Sequence, residues 1–155
     1  MKMRILLCLF TVILVSGCVA TGSKFNGELA QKNDQASFYL YRPSKFFQGG
    51  TWPTVFINGE DRFTLKNGGY IHTYLPPGTH TIKIGKAHFL SNWMGEDLEF
   101  TVEVEPGKQY FYRFDIDFGS FGGGGNYITI SGSIGILPVN EDEALKSLSE
   151  LRSSM

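Results

Sequence analysis

Three histidines are the residues in this sequence best suited to acid–base or metal chemistry: His72, His80 and His88. Two neutral imidazoles with a carboxylate from Asp115 or Asp117 have the donor types of a metal site. No pair has ligand spacing on one short element, because His72 falls in a predicted strand, His80 follows a turn and His88 lies in a predicted loop. The sequence therefore predicts neither a metal nor a cofactor, and it favours a hydrogen bond from His80 that braces the Pro-Gly turn before it.

Other patterns with a chemical signature are incomplete. The pair Asp115-x-Asp117 lacks the downstream glycine and glutamate of a calcium loop. The glycine-rich run Gly119–Gly125 lacks the Lys-Ser/Thr ending of a phosphate-binding loop. Ser120 lacks the first glycine of a nucleophile elbow. We therefore predict no catalytic residue, and we interpret the glycine-rich run as a flexible hairpin loop.

Aromatic residues make up 14% of the chain, and they offer a different chemistry, which is stacking on a ligand. The candidate ligand contacts are Trp52, Tyr70, Tyr74 and Trp93. Exposed Tyr and Trp rings are able to stack on sugar rings, whereas packing in a core or a sheet is the alternative for the same residues. The sequence leaves both interpretations open.

The N-terminus carries a targeting signal. Lys2 and Arg4 precede the apolar run Ile5–Val15, which is too short for the roughly 20 residues of a membrane-spanning helix. The sequence Val15-Ser16-Gly17-Cys18 follows directly. This arrangement resembles the lipobox of bacterial lipoproteins.

The lipobox resemblance implies cleavage between Gly17 and Cys18, so that residues 1–17 are a signal peptide and Cys18 is acylated. Each buried CH₂ contributes about 0.8 kcal/mol, so several acyl chains hold a protein firmly on a membrane. By the sorting rule of two-membrane bacteria, Val19 after the cysteine implies the outer membrane, with the domain in the periplasm. Cys8 leaves with the signal peptide, so no thiol remains for a disulfide.

The rest of the chain predicts a tether and one β domain. The polar residues 18–35 are interpreted as a lipidated tether, with a small helical contact through Phe25 and Leu29 as the alternative. Turn residues divide Thr54–Ile84 into four short strands joined by three tight turns. The strand Ala36–Arg42 is apolar on both faces, which is typical of a central strand.

Further patterns complete the predicted fold. Leu98, Phe100, Val102 and Val104 alternate with polar residues and are expected to face the core. Phe46 and Phe47 are expected to anchor their loop, the alternative being an exposed contact patch. A capping box at Asn140 predicts a helix over 141–152, whose leucines should dock on the protein's own sheet. The fold class is therefore mainly β: an antiparallel β-sandwich of about eight short strands with one C-terminal α-helix, forming a single domain over residues 36–155.

Three segments carry a family resemblance: Phe38-Tyr-Leu-Tyr-Arg-Pro-Ser44, Val55-Phe-Ile-Asn-Gly59 with Lys66-Asn-Gly-Gly-Tyr70, and Leu75-Pro-Pro-Gly-Thr-His-Thr-Ile82. Together they resemble bacterial lipoprotein domains known as domain of unknown function 2846, over roughly Ala36 to Phe114. The part from Ile57 to Ile82 also resembles the PEGA-type β module of cell-envelope proteins. The family has no assigned reaction, so the resemblance implies a fold and no catalytic residues.

These observations together favour one class of function. A formal net charge of −1 without a basic run argues against nucleic-acid binding. We expect a lipid-anchored bacterial cell-envelope protein, attached to the membrane through its N-terminal lipid. It would act as a non-catalytic module that binds an envelope protein or a cell-wall glycan. The alternatives are a structural subunit of an envelope assembly and, less favoured, an envelope hydrolase of unknown type.

Overall fold

A computed structural model describes residues 19–87, 91–124 and 127–155, and for residues 118–132 it describes the backbone alone. The strands are β1 (Ala36–Arg42), β2 (Thr54–Ile57), β3 (Glu60–Thr64), β4 (Gly69–Leu75), β5 (Gly78–Gly85), β6 (Leu98–Val104), β7 (Gln109–Gly124), β8 (Tyr127–Pro138) and β9 (Arg152–Ser153), and the helix is α1 (Glu141–Leu148). Cys18, Gly17 and His88 lie outside the described residues.

The strands form two sheets, which confirms the predicted mainly β sandwich. The first sheet has the order β8-β7-β1-β4-β9 and the second has the order β3-β2-β5-β6. β1 lies between β7 and β4 and is buried along its whole length, as its two apolar faces predict. Within the described part of the chain, no helix is long and apolar enough to cross a membrane.

The sheets are not purely antiparallel, which corrects the prediction. β1 runs parallel to β7, and β4 runs parallel to β9. The reason lies in the connections: the turn at Asn58-Gly59, where both residues have positive φ, closes a β2–β3 hairpin. The two turns on either side of β4 instead carry the chain from one sheet to the other. Turn residues mark where a strand ends, and they leave open which sheet the next strand joins.

The core lies between the two sheets. Val102 and Val104 of β6 are buried in it, and Leu98 and Phe100 pack against it half-buried, so the predicted inward face of β6 is confirmed. β7 contributes alternate residues to the same core: Tyr110, Tyr112, Phe114 and Ile116. The largest fully buried side chain belongs to Trp93.

A second apolar cluster covers the outer face of the first sheet. Tyr39, Tyr41 and Phe111 of the sheet pack against residues near the C-terminus, chiefly Leu148 and Leu151. The predicted docking of the leucines on the protein's own sheet is therefore confirmed.

The helix itself is shorter than the predicted span 141–152. Its N-cap is confirmed, since the Asn140 side chain accepts the Glu143 N–H at 2.9 Å. The helix ends at Leu148, because the following residues turn and pair with β4 as β9. Leu151 is buried just after that turn, so the apolar pattern continues beyond the end of the helix.

The predicted tether, residues 18–35, differs from the structure. Ala20 and Phe25 are buried, at 2% and 9% exposure. The Ala20 N–H donates to the Asn67 carbonyl at 3.0 Å, and the Phe25 N–H donates to the Leu151 carbonyl at 3.2 Å. The segment from 19 to 30 is thus docked on the domain, which corrects the interpretation of this part as a flexible coil. Polar composition suggested a coil, whereas a few small and apolar residues suffice to fix the backbone.

The glycine-rich run also differs from the prediction. Residues 119–124 belong to β7 and pair with Tyr127–Ser131 of β8, and Gly125 lies outside the described residues. Pairing along a long hairpin offsets the entropic cost of ordering glycine. The register shifts between Phe118 and Ser120, a β-bulge that bends the strand.

The two phenylalanines in the loop between β1 and β2 differ in burial. Phe47 packs against the core, as predicted for an anchor. Phe46 is 105% exposed, so the prediction that it also anchors the loop is wrong.

Candidate functional site: an aromatic cleft on β4

β4 carries a row of aromatic rings on the outer face of the first sheet. Residues two apart on a strand share a face, so Tyr70, His72 and Tyr74 project away from the inter-sheet core. The intervening Ile71 is fully buried in that core. β1 adds Tyr39, which stands directly opposite His72 in the register. The alternation of β4 therefore produces a ring-lined surface, of which the sequence identified only the two tyrosines of β4.

The rings lie in contact along this row. The His72 ring centroid is 4.5 Å from that of Tyr39 and 4.8 Å from that of Tyr74, the latter pair in an edge-to-face arrangement. The Tyr70 ring meets Phe25 edge-to-face at 5.7 Å. Such pairs are worth about 0.5–1.5 kcal/mol beyond their buried area, so the row is a rigid surface.

The N-terminal segment forms the wall above this floor. The Ala30 N–H donates to the Tyr39 hydroxyl at 2.7 Å, and the Ser37 hydroxyl donates to the Ala30 carbonyl at 2.6 Å. Between wall and floor lies an open cleft of about 310 Å³. Its lining residues are Phe25, Asn26, Glu28, Leu29, Ala30, Tyr39, Tyr70 and His72.

The floor of the cleft is uncharged at neutral pH. Burial lowers the pKa of His72 and raises the pKa of Tyr39, so both rings stay neutral. The His72 Nε2 is buried and has no hydrogen-bond partner among the described residues. Farther along β4, outside the residues that line the cleft, the Lys32 ammonium lies 4.4 Å from the centre of the Tyr74 ring. The cleft itself therefore offers flat apolar faces, one unused imidazole nitrogen and the carboxylate of Glu28.

The lowered pKa of His72 has a consequence for stability. The unfolded chain binds a proton near pH 6.5, whereas folded His72 binds it only at lower pH. Stability from this group is therefore complete above about pH 6.5 and is lost as the pH falls through the lowered pKa. We expect the wild-type free energy of unfolding to decrease between about pH 7.5 and 5.5, and that of His72→Phe to decrease less. Denaturant titrations at each pH measure the difference, and parallel curves for the two proteins would contradict it.

The other predicted ligand contacts lie elsewhere. Trp52 is half-buried and lines a separate cleft of about 260 Å³ beside the second sheet, where its backbone N–H donates to the Asn92 side-chain oxygen at 3.2 Å. Trp93 is 0% exposed, with its ring 5.8 Å from that of Phe114. A core position excludes ligand stacking in this conformation, which corrects the prediction for Trp93. Of the four candidates, the structure brings together Tyr70 and Tyr74.

The remaining polar candidates have structural partners. His80 braces its turn as predicted, with Nε2 2.8 Å from the Pro76 carbonyl. The Asn58 amide lies 3.0 Å from the Nδ1 of His80, so this side chain connects two turns. Among the described residues, no three side chains of the metal-binding types cluster together.

An ion-pair network holds the carboxylates of β7. Asp115 lies 3.0 Å from the Lys45 ammonium and 2.7 Å from the Arg113 guanidinium. Lys45 also pairs with Asp117, and Arg113 pairs with Glu143 of α1. These contacts join the loop after β1 and the helix to β7. The sequence alone gives no sign of this network, because the partners are distant along the chain.

One family model, described as "Protein of unknown function (DUF2846)", matches residues 32–125. The chain belongs to the DUF2846 family. The match includes the cleft floor on β1 and β4 but excludes the wall, Phe25 to Ala30, and also α1 and β9. A comparison with curated proteins finds no match. The cleft thus combines a floor from the family region with a wall from the preceding segment.

Proposed function

We propose that this DUF2846 protein is a lipid-anchored binding module of the bacterial cell envelope that holds a cell-wall glycan in the aromatic cleft without catalysis. The observation that carries the proposal is the ring row of Tyr70, His72 and Tyr74 beside an open cleft. Flat rings with a polar edge suit a ligand that presents both apolar faces and hydroxyl groups. Small-ligand sites are commonly concave, with apolar walls and few polar groups.

The chemistry of the cleft favours binding over turnover. General acid–base catalysis needs a titratable group held beside a partner that tunes it. His72 contacts two aromatic rings, and its Nε2 has no hydrogen-bond partner among the described residues. Asp115, the least exposed carboxylate of the ion-pair network, is held by two cations. The arrangement supports recognition by shape and ring contact.

The membrane attachment rests on the lipobox resemblance at Val15-Ser16-Gly17-Cys18. The structure adds that Val19, the next residue, forms a bridge with Asn67 on the domain. An acylated Cys18 would therefore hold the domain close to the bilayer.

The anchor is tested by replacing the cysteine. Cys18→Ser is expected to accumulate as an unprocessed precursor that takes up no labelled palmitate, because the thiol that receives the diacylglyceryl group is gone. Cys8→Ser is the matched control and should be processed and labelled like the wild type. Palmitate incorporation into Cys18→Ser would overturn the anchor, and recovery only in inner-membrane fractions would overturn the proposed outer-membrane location.

The cleft is tested with the full-length lipidated protein in detergent, sedimented with insoluble cell-wall glycan. Tyr70→Ala should weaken retention about tenfold, which corresponds to about 1.4 kcal/mol, because Tyr70 lines the cleft. Phe56→Ala is the control, because Phe56 is also a half-buried aromatic ring but lies on the second sheet. Equal retention of the two variants would contradict the cleft. Glycan turnover abolished by His72→Gln would show an enzyme instead.

A further inference from the structure

One end of the sandwich is defined here as the anchor end, where β1 finishes at Arg42 and β4 begins at Gly69, its register partner. Val19 bridges to Asn67 at this end. The described chain therefore begins at this end, at the residue that follows Cys18 in the sequence. The opposite end carries the turn before Gly78, one length of β4 away, or about 20 Å.

Asn67 joins the start of the chain to the loop after β1. Its carbonyl accepts the Ala20 N–H at 3.0 Å. Its side chain accepts the Lys45 N–H at 2.9 Å and donates to the Lys45 carbonyl at 2.9 Å. Asn67 thus holds both Ala20, two residues after the proposed lipidated Cys18, and Lys45, the neighbour of Phe46.

The loop that carries Phe46 is fixed rather than loose. The buried Arg42 guanidinium donates to the Thr51 carbonyl at 2.7 Å and to the Gln48 carbonyl at 2.8 Å. A Cβ at Gly49 would meet the Lys45 carbonyl at 2.6 Å, so the loop closes tightly on itself. Such a frame leaves Phe46 fully exposed although its neighbour Phe47 packs on the core. A single exposed ring is ordinary on a protein surface. Here, however, a loop held by hydrogen bonds presents the ring at the same end of the domain as Val19, the residue after the proposed lipidated cysteine.

Apolar and basic residues share the anchor end with Phe46. Val19 and Met155 are exposed apolar residues there, at 42% and 62%. Lys24, Lys66 and Arg152 accompany them, and the described residues contain no ion pair to these three cations, whereas Lys45 is paired with carboxylates of β7. Basic residues of this kind are attracted to a membrane of anionic lipids.

The β7–β8 hairpin extends past this end. β1 pairs with β7 only as far as Tyr41↔Arg113, and β7 continues to Gly124. The sequence has no charged residue between Asp117 and Glu141. An uncharged arm on the side of the lipid is compatible with contact at the headgroup layer.

We propose that the anchor end is a membrane-docking surface in which Phe46 enters the lipid interface beside the acyl chains of Cys18. This inference rests on the proposed lipid anchor. The partner of this surface is a lipid bilayer. Cys18, the proposed site of acylation, directly precedes Val19, so its acyl chains would enter the bilayer at this end of the domain. Acyl chains would then attach the domain, and Phe46 would fix its orientation.

The test places one fluorescent label on the mature full-length chain. Acylation uses the Cys18 thiol, so Phe46→Cys supplies a single free thiol for an environment-sensitive dye. The protein is reconstituted into phosphatidylethanolamine and phosphatidylglycerol vesicles with and without doxyl-labelled lipid. We expect a shift to shorter emission wavelength at position 46 and a loss of intensity with doxyl lipid. Thr79→Cys, exposed at the opposite end, should show neither.

Mass spectrometry of the N-terminus shows whether Cys18 is acylated, and it therefore distinguishes failure of the docking surface from failure of the lipid anchor. With Cys18 acylated and the protein on vesicles, equal and unquenched emission from positions 46 and 79 would overturn the docking surface and leave the anchor standing. Absence of the acyl groups would overturn the anchor and the docking surface with it.

Discussion

Replacing Phe38 by alanine is expected to lower the free energy of unfolding by about 3–5 kcal/mol. Phe38 is 0% exposed in the central strand of the first sheet, and its ring lies 5.5 Å from that of Tyr112. Truncation removes apolar contacts and leaves a cavity that strands on both sides keep open. The only cysteines of the sequence are Cys8 and Cys18, so no disulfide supports residues 19–155.

Phe100→Ala is the matched control for this change. Phe100 also packs against the inter-sheet core, but it is half-buried on β6, at the edge of the second sheet. Its loss should therefore cost less than the value for Phe38, although the alternation of β6 alone suggests a fully inward ring. Denaturant titration followed by circular dichroism measures both variants. A Phe38→Ala midpoint at or above that of Phe100→Ala would show that the packing is described wrongly.

Arg42→Met is expected to cost about 2–3 kcal/mol, because hydrogen bonds to charged groups contribute about 1.5–3 kcal/mol each and removal of the buried charge offsets part of the loss. Arg42 is 2% exposed, and its guanidinium donates to the carbonyls of Thr51 and Gln48. Burial lowers its pKa to about 10, so it remains charged at neutral pH. Methionine fills similar space without these donors, and the loop after β1 should lose its frame.

The loss should appear locally as well as globally. Hydrogen exchange at Thr51, whose N–H is bonded to the Gln48 carbonyl, should become faster in Arg42→Met. Arg62→Met is the control, since Arg62 is exposed and, within the part of the chain that the structure describes, forms a surface ion pair with Glu60 alone. Surface changes of this kind usually remain within about 0.5 kcal/mol. Equal stability of the two variants would contradict the structural role assigned to Arg42.

Local patterns predicted the strands well because each pattern depends on nearby residues. The alternation in β6 and the double apolar face of β1 follow from burial of one or both strand faces. The pairing of β1 with β7 depends on four crossings between the sheets along the intervening chain, and no residue type indicates where such a crossing occurs. Likewise, Leu151 carries the apolar spacing of a helix although pairing with β4 ends the helix earlier.

The candidate site was predicted in part. Tyr70 and Tyr74 were identified from residue type, and their spacing of four along a strand already places His72 between them on the same face. The wall of the cleft was anticipated only as an alternative, a small helical contact through Phe25 and Leu29, because these residues lie in a polar segment with no periodicity; the structure has the contact without a helix. For Trp93 the sequence left both ligand stacking and core packing open, because an aromatic residue in a glycine-containing loop has the same sequence signature whether the loop folds inward or outward.

The docking of residues 20–25 against the C-terminal strand has a consequence for the timing of biosynthesis. The Gly22 N–H donates to the Ser153 carbonyl. This hydrogen bond can therefore form only after nearly the whole chain has been synthesised. At about 5–20 residues per second, the intervening chain takes on the order of ten seconds to synthesise. During that interval residues 20–25 lack the C-terminal strand on which they dock. On the proposed lipid anchor, the peptidase and the acyltransferase would act in this interval, and completion of the chain would then close the fold over the segment that follows Cys18.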